Sequence, residues 1–217
     1  MPKNESLSLD YIRSLYAPQD ALLERIDAAL HAMGMPIHIG AEEGRLLQML
    51  IALHGTRTIV EIGTLAGYST LWMARALPEN GHIYTIDKDP RHCAMAREFI
   101  AQSDMQERIT QLEGDAHSVL AQLSAKGPFD MVFIDADKIS YSDYLDWAER
   151  NIRKGGLIVA DNTLLFGSMG QDAPPPDMAP TAWHNMRRFN ERLANRNKYS
   201  GTIIPTQEGL SVAIKLF

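Results

Sequence analysis

From Thr58 onward, short apolar runs alternate with longer runs in which apolar residues recur every three or four positions. The short runs, Thr58–Ile62, His82–Ile86, Ile109–Leu112, Phe129–Ile134 and Gly156–Ala160, are rich in β-branched and aromatic residues. Each is closed by a polar or acidic residue, and together they read as strands. The longer runs, Tyr68–Leu77, Pro90–Ser103, Ala116–Leu123 and Tyr141–Asn151, read as helices between them, with Ser140 and Asp143 as a capping box for the last. Alternation of this kind predicts a mostly parallel sheet with helices on both faces and right-handed crossovers.

The first 57 residues carry two helical patterns, about Pro18–Met33 and Ala41–His54, the second with Leu46, Met49, Leu50 and Leu53 on one face. They are expected to form an N-terminal helical cap. Phe166–Pro180 holds Pro174, Pro175, Pro176 and Pro180 with Gly167 and Gly170, so it reads as a loop long enough to be functional. A helix near Thr181–Asn195 follows. Two further strand patterns, Tyr199–Pro205 and Leu210–Phe217, are separated by Thr206–Gly209, which implies an antiparallel hairpin.

Composition changes the picture by exclusion. A chain of 217 residues, 45% hydrophobic, fits one domain burying about 70% of its unfolded surface. The expected organisation is a single domain over 1–217, a cap over 1–57 and a core over 58–217. The net charge of −6 offers no attraction to a phosphate backbone or an anionic membrane, so neither nucleic acid nor membrane is expected as a partner. No run approaches the roughly 18 apolar residues of a membrane span, and the polar start has no signal-like segment, so a soluble, cytoplasmic protein is expected. Cys93 is the sole cysteine, which rules out an intrachain disulfide, and it reads as a small buried residue.

In open α/β sheets ligands bind beyond the carboxyl ends of the strands, where Glu61, Asp87, Glu113-Gly114-Asp115, Asp135 and Asp161 should converge. The segment Glu61-Ile62-Gly63-Thr64-Leu65-Ala66-Gly67-Tyr68-Ser69 departs from the three-glycine spacing that accommodates a pyrophosphate. The acid Glu61 would repel that group and attract a cofactor carrying an ammonium and a sulfonium, which points to S-adenosylmethionine. Gly63 and Gly67 would let backbone approach the ligand, and Ser69 would bond its carboxylate or start the helix. Asp87, 24 residues past Gly63, is placed to accept ribose hydroxyls or to cap the helix at Pro90, and Asp115 and Ala116 fall beside the adenine.

The fourth strand ends in Asp135-Ala136-Asp137-Lys138 and the fifth in Asp161-Asn162. If the two pair in register, Asp135, Asp161 and Asn162 surround one point. Oxygen donors without His or Cys favour Mg²⁺, with Mn²⁺ or Ca²⁺ as alternatives. Singly, each acid also reads as a turn cap.

These residues, in this order, resemble the cation-dependent O-methyltransferases of the caffeoyl-CoA and catechol O-methyltransferase group. The likeness extends from about Tyr11 to the C-terminus. It implies a Rossmann-like fold of seven strands with an antiparallel last strand, a divalent ion on Asp135, Asp161 and Asn162, and a homodimer. Cofactor contacts would come from Ile39, Glu61, Gly63, Ser69, Asp87, Asp115, Ala116 and Asp135. Lys138, with Asp135, would be catalytic, as base or as electrostatic steering group. The implied reaction moves a methyl group to the hydroxyl of a catechol-like or hydroxycinnamoyl-type small molecule, whose phenol the cation would acidify.

The rivals are a methyltransferase acting on another small molecule or an amine, a nicotinamide-dependent oxidoreductase, and a non-catalytic cofactor-binding homologue. Tyr141 and Trp183 are candidates for the substrate pocket, although Trp183 also joins Met186, Phe189 and Leu193 on one apolar helix face. His117 is a weak candidate beside the adenine. Arg188, Arg192 and Arg196 form a stripe suited to an anionic substrate tail or simply to solvent. Thr206-Gln207-Glu208-Gly209-Leu210 departs from the Gly-Asp-Gly-Leu usual in the group.

Overall fold

The computed structural model describes residues 5–217, with side chains from Ser8 onward. Seven strands form one sheet in the order β3-β2-β1-β4-β5-β7-β6. They are β1 (Thr58–Ile62), β2 (His82–Asp87), β3 (Ile109–Glu113), β4 (Phe129–Ile134), β5 (Ile152–Ala160), β6 (Tyr199–Ile204) and β7 (Leu210–Lys215). The helices are α1 (Glu5–Tyr16), α2 (Ala21–Ala32), α3 (Ala41–His54), α4 (Tyr68–Ala74), α5 (Pro90–Ala101), α6 (Ala116–Leu123), α7 (Tyr141–Asn151) and α8 (Pro180–Leu193). The predicted α/β class and antiparallel hairpin are thus present. Contacts group the chain into two compact units, one of the residues up to Arg57 with Thr64–Glu113, the other of Thr58–Gly63 with Gly114–Phe217.

In the first unit β2 and β3 pair in parallel, Ile83 with Ile109 through to Asp87 with Glu113. Helix α2 starts where the Asp20 carboxylate accepts the Leu23 N–H, and it buries Leu23, Ile26 and Leu30 at three- and four-residue spacing. Helix α3 corrects the expected face. Ala41, Gly44, Leu47 and Ile51 are buried, whereas Met49 and Leu53 are exposed. The reason is close packing: a Cβ on Gly44 would lie 2.6 Å from the Trp72 ring, so the small-residue face, not the bulkier one, meets α4. Helix α1 was not expected. It leaves Tyr11, Ile12, Leu15 and Tyr16 exposed, so no core-facing stripe advertises it in the sequence.

The second unit holds β1-β4-β5-β7-β6. Ile62 pairs with Ile134, and Ile134 with Ala160, so three neighbouring parallel strands end level with one another. Ile59, Val60 and Ile62, Met131–Ile134 and Leu157–Ala160 are all buried, as continuous apolar strands covered on both faces must be. β5 begins at Ile152, four residues before its expected start. A register irregularity between Phe129 and Met131 and the positive φ of Gly155 (77°) accompany this extension through residues that precede the expected strand. β7 runs antiparallel to β5 and to β6. Trp183, Met186, Phe189 and Leu193 of α8 form the buried face expected of them.

Candidate active site

The level ends of β1, β4 and β5 bring Gly63, Asp135 and Asp161 to the next register positions. Their backbones are joined, with Asp135 N–H donating to the Ile62 carbonyl at 2.9 Å and Asp161 N–H to the Ile134 carbonyl at 3.0 Å. Gly63 (φ 105°) passes so close to the Asp135 carbonyl that a Cβ there would overlap it. Its demand for glycine therefore comes from strand against strand inside the fold.

Asp161 is buried, and Asn162 follows it in the left-handed region at φ 56°. That conformation is sparse for residues other than glycine but accessible to Asn. It turns Asn162 back on its neighbour, so its N–H and Nδ2 donate to the two Asp161 carboxylate oxygens at 2.7 and 3.2 Å. The Asn162 Oδ1 is left facing Lys138, whose ammonium donates to it at 2.6 Å, to Asp135 Oδ1 at 3.2 Å and to the Tyr141 hydroxyl at 2.8 Å. The Tyr141 hydroxyl in turn donates to the Asp161 carbonyl at 2.9 Å. Burial pushes the Tyr141 phenol well above its ordinary pKa, and the nearby Asp135 and Asp161 charges add to this. Tyr141 is fully buried, so it supports Lys138 from below instead of lining a substrate pocket.

Asp137 turns away from this cluster. It accepts Ser140 Oγ at 2.6 Å and the Tyr144 hydroxyl at 2.7 Å, pinning the loop to α7. Ser140 is spent on that contact, so the expected capping box at α7 does not form. Burial, reinforced by the bond to Asp137, raises the Tyr144 pKa. His117 is exposed and its ring lies 5.4 Å from that of Tyr144. Asp115 is exposed and caps α6, accepting the Ser118 N–H at 3.2 Å, with Ala116 next to it.

The loop over 166–180 is tied down at its start. Leu165, Phe166 and Gly167 all have positive φ, and the Phe166 N–H donates to Glu208 Oε2 at 3.0 Å. Phe166 is 71% exposed, whereas Trp183 is buried and donates from its indole to the Ser168 carbonyl at 3.2 Å. Trp183 thus anchors the loop and does not line a pocket. The expected arginine stripe is broken, because Arg192 is paired with Asp146 at 2.7 Å and Glu149 at 3.2 Å while Arg188 and Arg196 face solvent.

In the first unit, the Asp87 carboxylate is held from two sides. Oδ2 accepts the Leu65 N–H at 2.8 Å and Oδ1 the Asp89 N–H at 2.9 Å. Asp89, not Asp87, caps α5, accepting the Arg91 N–H at 2.8 Å. His92, unmarked in the sequence reading, approaches Asp87 Oδ1 to 3.4 Å through Nδ1. The turn above is fixed by a buried bond of 2.6 Å between Thr64 and Thr85 and by Gly67 at φ 83°. Ser69 and Ile39 are both buried. Cys93 is buried as expected, with its thiol raised by desolvation. Glu61, in the second unit, is fully buried on β1.

A seven-stranded sheet whose parallel strands close in acids at one end, with a glycine turn after the first, defines a Rossmann-like fold. A model of the O-methyltransferase family matches residues 13–216. The chain is 39% identical over 213 residues to a catechol O-methyltransferase of Niastella koreensis, covering 94% of each. It is 31% identical over 195 residues to a caffeoyl-CoA O-methyltransferase of Populus kitakamiensis, covering 87% of this chain and 80% of the relative. The crystal structure of the O-methyltransferase TomG of Streptomyces achromogenes, solved with S-adenosylmethionine, superposes with a TM-score of 0.90 at 32% identity over 100% of both chains. The chain belongs to the O-methyltransferase family.

Proposed function

We propose that the protein transfers the methyl group of S-adenosylmethionine to a hydroxyl of a catechol-like or hydroxycinnamoyl-type small molecule, with a divalent cation, Mg²⁺ first, on Asp135, Asp161 and Asn162. The observation that carries this reading is the Lys138 ammonium, bonded at once to Asp135 Oδ1 and Asn162 Oδ1. Oxygens from the ends of two strands converge on a positive charge, and the donor set is the hard-oxygen kind that such ions take. A divalent ion there would supply Lewis acidity, favouring ionisation of a phenol at the site. Lys138 is the candidate base or steering charge, held within reach by the Tyr141 hydroxyl.

For the cofactor we infer contacts from Ile39, Glu61, Gly63, Ser69, Asp87, Asp115, Ala116 and Asp135. Supporting this, Asp87 is fixed by two backbone donors, and a carboxylate so held retains lone pairs for ribose hydroxyls. Glu61 brings a fully buried carboxyl group to the end of β1. Asp115 is weaker, since its capping of α6 already accounts for it. A single methyltransferase domain and a homodimer complete the reading; the exposed Met49 and Leu53 of α3 are the kind of apolar surface a second copy would cover.

The test is methylation of a panel of catechols and hydroxycinnamoyl esters by S-adenosylmethionine, with Mg²⁺ or with EDTA. Activity with Mg²⁺ and its loss in EDTA are expected. Methylation undiminished in EDTA would overturn the metal assignment.

A further inference from the structure

Lys138 uses the same oxygens that the proposed cation needs. An ammonium has three donors, and here they have three acceptors: Asp135 Oδ1 (3.2 Å), Asn162 Oδ1 (2.6 Å) and the Tyr141 hydroxyl (2.8 Å). Two of the three are proposed metal ligands. The third is neutral, and its lone pair is aimed at the lysine because the phenol proton is committed to the Asp161 carbonyl at 2.9 Å. Lys138 is also only partly exposed, 19% at its side chain, so its charge acts on these groups with less screening than a surface lysine would.

We propose that Lys138 is a tethered cation competing with the divalent ion for Asp135 and Asn162, so that ion binding requires the ammonium to give up both oxygens while the Tyr141 hydroxyl retains it. The inference rests on the metal assignment above. It follows from charge: a divalent ion taking those lone pairs would bring two positive charges to within a few ångströms of the ammonium. The arrangement has a use. Asp135 and Asp161 close neighbouring strands, and a lysine bonded to Asp135 and Asn162 supplies a counter-charge that lets the site fold before any ion arrives. The cost is a weaker affinity for the ion than the same oxygens would have without the lysine.

Mn²⁺ alone, titrated into the full-length protein and followed by the loss of the free-ion electron paramagnetic resonance signal, tests this without reference to turnover. Lys138→Met is expected to bind Mn²⁺ on the order of tenfold more tightly than wild type. Lys138→Arg, which keeps the charge, is expected to gain nothing. Thermal unfolding without metal should show Lys138→Met less stable than wild type, with a larger rise on adding Mn²⁺. If Lys138→Met does not fold, Lys138→Gln in the same titration decides. Unchanged or weaker Mn²⁺ binding in the uncharged variant, while Asp161→Ala abolishes binding, would overturn the competition and leave the metal site standing. An equal gain in Lys138→Arg would overturn it too. Absence of Mn²⁺ binding in both wild type and the uncharged variants would overturn the competition together with the metal assignment.

Discussion

Gly63 and Lys138 show how much a single position settles. A side chain at Gly63 would overlap the Asp135 carbonyl, and φ of 105° already disfavours any residue with a Cβ. Gly63→Ala is therefore expected to cost about 3 kcal/mol or more of stability, measurable as a lowered urea midpoint. At Lys138 the expectation concerns rate. Lys138→Ala should lower turnover by at least about a hundredfold, the scale of a general base, while calorimetry shows S-adenosylmethionine affinity nearly intact. Equal activity would end the catalytic assignment. Asp135, Asp161, Asn162 and Lys138 were legible in sequence because each closes or follows a strand whose apolar run is unmistakable. Tyr141 was not, because a tyrosine in the first turn of a helix looks the same whether it lines a pocket or, as here, is buried beneath a lysine.

Among the elements, the β6–β7 turn has a task that its sequence concealed. Leu164 N–H donates to the Glu208 carbonyl, Thr163 N–H to the Gly209 carbonyl, each at 2.9 Å, and Phe166 N–H to the Glu208 carboxylate. The turn thereby latches the start of the loop over 166–180, where three consecutive residues are left-handed. Glu208→Ala removes a hydrogen bond of about 1 kcal/mol from that run. Faster limited proteolysis within 166–180 and a raised acceptor KM are expected, with cofactor affinity unchanged; proteolysis at the wild-type rate would show that the latch does not hold the loop. Helix α3 teaches the complementary lesson. Its apolar positions covered both faces, and only the fit of Gly44 against Trp72 decided which one is buried.

For the whole molecule, the carboxylates that fix one segment to another set its response to acid. Burial opposes ionisation of Glu149, but bonds from Tyr199 and Arg192 outweigh it and hold its pKa down. The same balance, burial against the Arg13 guanidinium, lowers Glu42. A depressed carboxylate contributes stability above its unfolded pKa, about 4.3 for Glu, and loses it as pH falls through the folded value. Melting temperature is thus expected to fall steeply below about pH 4.3, and Glu149→Gln should flatten part of that fall. His38 adds an earlier slope. Burial lowers its pKa against the opposing pull of Asp27, so the stability it gives is present above about pH 6.5 and declines as pH falls below it; His38→Gln should remove that segment of the curve. A flat profile from pH 7 to 5 in wild type would refute the His38 expectation.

What the sequence determined by itself was the order of the strands, of the helices between them, and the residues that end the parallel strands, because burial on both faces writes an apolar run and its polar terminus directly into the chain. Level strand ends then brought Gly63, Asp135 and Asp161 together. What only the tertiary structure decided was orientation and partnership: that Asp137 faces α7 while Asn162 faces Lys138, that Arg192 is neutralised by Asp146 and Glu149, and that Glu208 holds the loop. Such choices depend on groups more than twenty residues away in most cases, and no local periodicity encodes them.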